Sequence, residues 1–126
     1  MRYPTAYDLK SFYNGFTGRI IRSLIRARLL ELWPAQKSLR YVGLGYAAPY
    51  MYPFMELAER SFCVMPPNLG VHQWPEEESN LACLGEDFNL PLETNSVDRI
   101  LVAHHLEFLE HPESAFREMY RVLKST

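Results

Sequence analysis

The sequence holds only two cysteines, six glycines and no long apolar run, and each scarcity removes a class of protein. Cys63 and Cys83 stand singly in apolar surroundings, without CxxC or Cys/His spacing, so no zinc site is expected and reduced thiols of a cytoplasmic protein are. His72, His104, His105 and His111 share no ligand spacing either, and no metal is expected. No apolar stretch approaches the ~18 residues needed to cross a membrane. The opening MRYPTAYDLK lacks the hydrophobic centre of a signal peptide. The net charge of −2 makes no general case for a nucleic-acid partner.

What is present is the composition of one globular domain. The chain has 126 residues, 48% of them hydrophobic, with nine prolines and eight tyrosines. Charge is unevenly placed. Residues 1–40 carry eight Lys/Arg against Asp8 and Glu31, whereas the rest carries five basic and thirteen acidic residues. Four of the cations, Arg19, Arg22, Arg26 and Arg28, fall on one helical segment. A solvated face, or a seam to the acidic part, explains them better than an anionic partner.

Residues 5–13 are predicted as a short helix. Ile20, Ile21, Leu24, Ile25, Leu29 and Leu32 recur at helical spacing up to the stop at Pro34. Residues 38–44 read as a strand running into Gly45. The next helix is expected to begin near Tyr52, since Pro53 clashes deep inside a helix, with Phe54, Met55 and Ala58 inward. Ser61–Met65 and Asn80–Leu84 are short strands on either side of a loop over 66–79. Val97–Ala103 is an apolar run of the kind buried on both faces. Pro112 opens a last helix, with Ala115, Phe116, Met119, Tyr120 and Leu123 on its inner side. Strands alternating with helices predict an α/β fold with a doubly wound parallel sheet.

Gly43-Leu44-Gly45 directly follows a strand, where glycine permits a tight turn and close approach of a ligand. A structural turn explains it equally well. A longer ordered pattern follows: Gly85-Glu86, Leu90-Pro91-Leu92, Ser96-Val97-Asp98, His104, Leu106-Glu107, Pro112, Glu118 and Arg121-Val122-Leu123-Lys124. In these residues the chain resembles the class I S-adenosylmethionine-dependent methyltransferases of the methyltransferase type 11 group, over roughly residues 38–124. The resemblance implies a Rossmann-like sheet with S-adenosylmethionine at the carboxyl ends of its strands. Gly43 and Gly45 would then approach the methionine moiety, with Tyr46 beside them. Glu86, followed by Asp87, would meet the adenine, and Leu90 would flank its ring. His104 would lie on the floor of the site as a candidate general base. Trp74, Tyr46 and Tyr50 are candidates for an acceptor pocket or ordinary loop anchors. The chain departs from the pattern at Tyr41, at Ala47, and at the end of the second strand, where Pro66 stands in place of a ribose-binding acid.

Residues 1–36 are expected to form an N-terminal helical segment and 38–124 the core of a single domain. About four strands are expected, so the sheet is incomplete on the carboxyl-terminal side and its uncovered edge is a candidate for self-association. The function implied is methyl transfer to an unidentified small-molecule or macromolecular acceptor. The competing reading is a truncated, non-catalytic Rossmann-like interaction module. A dinucleotide is the weakest alternative, because Ala48 breaks GxGxxG.

Overall fold

The computed structural model describes residues 4–70, 74–75 and 80–125. His72 and the acidic run Glu76–Glu78 therefore lie outside the described residues. In chain order, α1 is Ala6–Asn14, α2 Phe16–Leu32, β1 Arg40–Gly45, α3 Ala48–Met55, β2 Arg60–Met65, β3 Ala82–Leu84, β4 Arg99–Ala103 and α4 Pro112–Val122, with a 3-10 turn at Leu106–Phe108 before α4. All pairings between these strands are parallel, in the order β3-β2-β1-β4. Among the helices only α3 links two paired strands, β1 and β2.

Strand periodicity divides the core into two layers. Tyr41, Cys63, Met65 and Ala82 face one side, where α3 adds Met51 and Phe54 and α1 adds Ala6, Leu9 and Tyr13. Val42, Leu44 and Val64 face the other, against Ala115, Met119 and Val122 of α4. The sheet is thus covered on both faces, as a parallel sheet requires. β4 is half-buried along its whole length instead of buried on both faces, because it is one of the two edge strands. A single parallel bridge, Val97 to Leu123, lies alongside its approach.

Several helices differ instructively from expectation. α3 begins at Ala48, with Pro49 in its first turn and Pro53 inside it. Pro53 has no N–H for the Pro49 carbonyl, but the Arg26 Nε–H donates to that oxygen at 2.7 Å. The proline defect is thereby satisfied from α2. Arg26 also lies over the Tyr52 ring at 5.5 Å. That makes Arg26, at least, part of a seam between two helices.

The apolar stripe of α2 is largely outward: Leu32 is 74% and Leu24 64% exposed. Its inward side is Gly18, which admits the backbone of α1, and Leu29. On α4, Ala115 and Met119 point inward as expected, joined by Val122, but Phe116 and Tyr120 are exposed. The inward row follows the 115–119–122 spacing, which leaves 116 and 120 a further step around the helix.

α1 is fixed at both ends. Thr5 Oγ1 accepts the Asp8 N–H, and Asp8 Oδ2 accepts the Thr5 N–H, each at 3.1 Å, forming a capping box. The Ala6 N–H donates to the Leu69 carbonyl at 2.7 Å, tying the helix start to the turn after β2. At its far end, Tyr13 reaches the carboxyl ends of β1 and β4.

Candidate functional site

Chain reversals at the carboxyl ends of β1 to β4 form a crevice. Four turns build it. After β1, Gly45 has φ +82° and the Tyr46 N–H donates to the Ala103 carbonyl of β4 at 2.8 Å. After β2, the Leu69 and Gly70 N–H groups both bond the Pro66 carbonyl. After β3, Glu86 and Asn89 pair across a tight turn. After β4, His104 has φ +56° and turns His105 back under the rim. Between the last three lies a cavity of about 250 Å³, lined by Asn68 from the β2 turn, Glu86 and Asp87 from the β3 turn, and His105, Glu110 and His111 from beyond β4.

Two polar arrangements distinguish the crevice. The first joins β3 to β4: His105 Nε2 and Asp87 Oδ2 are 2.9 Å apart, with His105 buried. The second is a chain of three side chains. Tyr13 Oη lies 2.6 Å from Tyr50 Oη and 2.6 Å from His104 Nε2. Tyr13 also stacks on Tyr46, with centroids 6.3 Å apart. Burial, reinforced by the Tyr50 hydroxyl, raises the Tyr13 pKa, so the phenol keeps its proton. Burial lowers the His104 pKa, against a smaller opposing effect of Glu107.

That shift has a consequence for stability. With the folded value held below the ordinary 6.5, the unfolded chain binds more protons between the two values. The contribution of His104 is therefore complete above pH ~6.5 and is lost as pH falls through the folded value. Melting temperature measured against pH is expected to drop on that acid limb. His104→Asn, which tolerates positive φ, is expected to flatten it. A limb unchanged in the variant would assign the effect to another histidine.

The sequence-derived candidates do not all meet in one place. Glu86 and Asp87 line the crevice. Gly45, Tyr46 and His104 form the adjoining rim beneath α1. Gly43 is packed: an added Cβ would lie 2.9 Å from the Ala47 Cβ and 3.1 Å from the Cys63 sulfur. Its missing side chain lets α3 approach the sheet. Leu90 is buried with Val97 and Met119 on the α4 side. Trp74 is buried and packs edge-on against Tyr52. Cys63 is fully buried, which pushes its thiol up to about 12, and serves packing alone.

Glu118 and Arg121, three apart on α4 as a helix-surface pair would be, also hold the Leu90-Pro91-Leu92 loop. Glu118 Oε1 accepts the Leu90 N–H at 2.8 Å, and Arg121 donates to the Leu90 and Leu92 carbonyls. Their ion pair at 2.6 Å keeps the Glu118 carboxyl below its ordinary range. Asp98 lies at the opposite end of the sheet. It accepts the Arg40 N–H at 2.8 Å, with Lys124 Nζ 3.6 Å away. Tyr13 and the Asp87–His105 pairing escaped the sequence reading. Contacts 91 and 18 residues apart leave no periodic trace.

The described residues contain no cluster of His, Cys, Asp and Glu able to hold a metal, and no helix long and apolar enough to cross a membrane. No curated protein sequence matches the chain. Among solved structures, a Methanococcus maripaludis protein described as an S-adenosyl-L-methionine-dependent methyltransferase overlays with a TM-score of 0.69 at 17% identity, covering 96% of this chain and 60% of its own. A Haloferax volcanii methyltransferase, solved with the Trm112 methyltransferase activator, gives 0.66 at 19% identity, covering 94% and 54%. A SAM-dependent methyltransferase from Aquifex aeolicus gives 0.59 at 18% identity, covering 79% and 58%. The chain thus spans little more than half the length of these structures, and at such identities they establish the fold. The methyltransferase-domain family model Methyltransf_11 matches residues 42–126, about two thirds of the sequence, and with that match the chain belongs to the type 11 methyltransferase-domain family.

Proposed function

We propose that the crevice binds S-adenosylmethionine and that the chain carries the donor half of a methyl-transfer site. The observation that carries this reading is the acidic lining of the crevice at the carboxyl ends of a parallel sheet. Glu86, Asp87 and Glu110 line it, with no Lys or Arg among its lining residues. Such a lining suits a ligand with cationic and hydroxyl-bearing groups. Asn68 stands just past β2, where the family places its ribose acid, and can accept and donate a hydrogen bond there. The residues present therefore fit the ligand at its nucleoside end. When bound, S-adenosylmethionine supplies a methyl group already activated on a sulfonium. The remaining need is positioning, which rigid turns such as these can meet.

Residues 1–36 belong to the same proposal. α1 roofs the glycine turn and lends Tyr13 to its rim, so the N-terminal helices act with the core as one domain. Two reduced cysteines suit a cytoplasmic setting. The acceptor is assigned here only as a nucleophile that reaches the α1 side of the crevice.

Calorimetric titration of the whole chain with S-adenosylmethionine and S-adenosylhomocysteine tests this. Binding is expected, and Asp87→Asn or Glu86→Gln is expected to weaken it by about tenfold or more, the worth of one charged hydrogen bond. A folded sample giving no heat at millimolar ligand would remove the reading. One observation favours a non-catalytic module instead: Tyr13 of α1 already stacks on Tyr46 at the rim. An obligate oligomer without affinity for either ligand, seen by sedimentation, would support that alternative.

A further inference from the structure

We propose that Tyr13, on α1, is a positioning residue. It holds the His104 imidazole by Nε2, so that Nδ1 is the nitrogen left to act as the base that takes the acceptor's proton. This rests on the methyl-transfer reading and extends it to a substrate class: acceptors whose nucleophilic atom carries a hydrogen to lose, a hydroxyl or an N–H.

Geometry supports the assignment from three sides. Tyr13 Oη touches both His104 Nε2 and Tyr50 Oη at 2.6 Å, yet a phenol has one proton to give. The distances fit two directions; in the one proposed, Nε2–H donates to Tyr13 and Tyr13 donates to Tyr50, the direction in which the Tyr50 hydroxyl raises the Tyr13 pKa. Nδ1 then carries the free lone pair. His104 also adopts φ +56°, a conformation few residues other than glycine take up, and such strain persists where surrounding contacts over-determine it. Finally, a separate small cavity of about 10 Å³ beside the crevice touches His104. It shares Pro66, Asn68, His105 and Phe108 with the main cavity.

The groups facing His104 are consistent with a base that starts neutral. Tyr13 comes from α1 and is itself bonded to Tyr50 of α3, and Glu107 comes from the turn after β4. His105, the next residue, is engaged with Asp87. Neutrality follows from burial. In the step itself, the acceptor's lone pair forms the new bond to the methyl carbon, and the electrons of the broken carbon–sulfur bond remain on sulfur. The acceptor's proton passes to Nδ1. The imidazolium keeps its Nε2–H bond to the Tyr13 oxygen and later releases the Nδ1 proton to water. Tyr13 lies outside the residues matched by the family model, so the N-terminal helix contributes this feature.

The test is nitrogen NMR of the histidine rings in the whole chain at neutral pH, beside the calorimetric titration. His104 is expected to show the Nε2–H tautomer. Tyr13→Phe, which keeps the ring packing, is expected to reduce the preference for that tautomer by about fivefold, roughly the worth of one ordinary hydrogen bond. Donor binding is expected to change by less than about twofold, on the view that Tyr13 touches the base and not the donor. His104 found as the Nδ1–H tautomer overturns the proposal. So does a Tyr13→Phe variant that melts lower with an unchanged tautomer, since a merely structural tyrosine would behave that way. Loss of donor binding in the unmodified chain, with the Nε2–H tautomer present, would remove the methyl-transfer reading and leave the Tyr13–His104 geometry standing.

Discussion

Gly45→Ala is expected to destabilise the chain by on the order of 3 kcal/mol, combining the penalty of a side chain in the left-handed region with overpacking. Gly45 sits at φ +82°, and an added Cβ would lie 2.3 Å from the Ala103 carbonyl oxygen and 2.7 Å from the His105 Cβ. Neither neighbour can easily give way. The carbonyl is the acceptor for Tyr46 N–H, and His105 is buried with Asp87. The loss is a large share of the ~5–15 kcal/mol that a domain has. Urea unfolding should show a lower midpoint at an unchanged slope. A midpoint within about 0.5 kcal/mol of the parent would mean that the β1 turn relaxes freely. Its rigidity as part of the site would then be abandoned.

That glycine was legible in the sequence, and its reason was legible only in part. Gly43 and Gly45 look alike as GxG, but they differ in what they admit. Gly45 supplies a backbone conformation at the crevice, whereas Gly43 makes room for Ala47 and Met51 of α3. Local pattern carried the alternation of strands and helices behind the parallel sheet and the proline start of α4, because each depends on neighbours in sequence; it did not carry the half-burial of β4, which depends on its place at a sheet edge. It did not carry Pro53. The rule that proline disrupts a helix interior is sound, yet the freed Pro49 carbonyl is met by Arg26, 23 residues earlier. Likewise, Glu118 and Arg121 are correctly spaced for a helix-surface pair. Their actual partners, Leu90 and Leu92, lie in a loop that spacing cannot locate. Where one long-range contact decides a role, periodicity is silent.

The same reasoning makes Gly18→Ala the more informative substitution. In an isolated helix, alanine for glycine would stabilise by about 1 kcal/mol. Here an added Cβ would lie 1.9 Å from the Phe12 carbonyl oxygen and 2.7 Å from the Tyr13 Cα. Both contacts are to backbone, so relief requires α1 to move away from α2. Overpacking of this kind typically costs about 1–3 kcal/mol and occasionally more, enough to outweigh the helix gain. Melting temperature is therefore expected to fall by several degrees, since each 1 kcal/mol corresponds to roughly 2–8 °C in domains of this general size. The second consequence concerns the site. Moving α1 carries Tyr13 off Tyr50 and His104, uncovering the glycine turn. The His104 pKa should then rise toward its ordinary value, because burial is the largest cause of its depression. NMR titration of His104 in the variant reads this directly. A variant that melts higher than the parent, with His104 unshifted, would show that α1 and α2 do not press together at Gly18. The roof over the β1 turn would then have to be held by the Ala6–Leu69 bond and the tyrosine cluster alone.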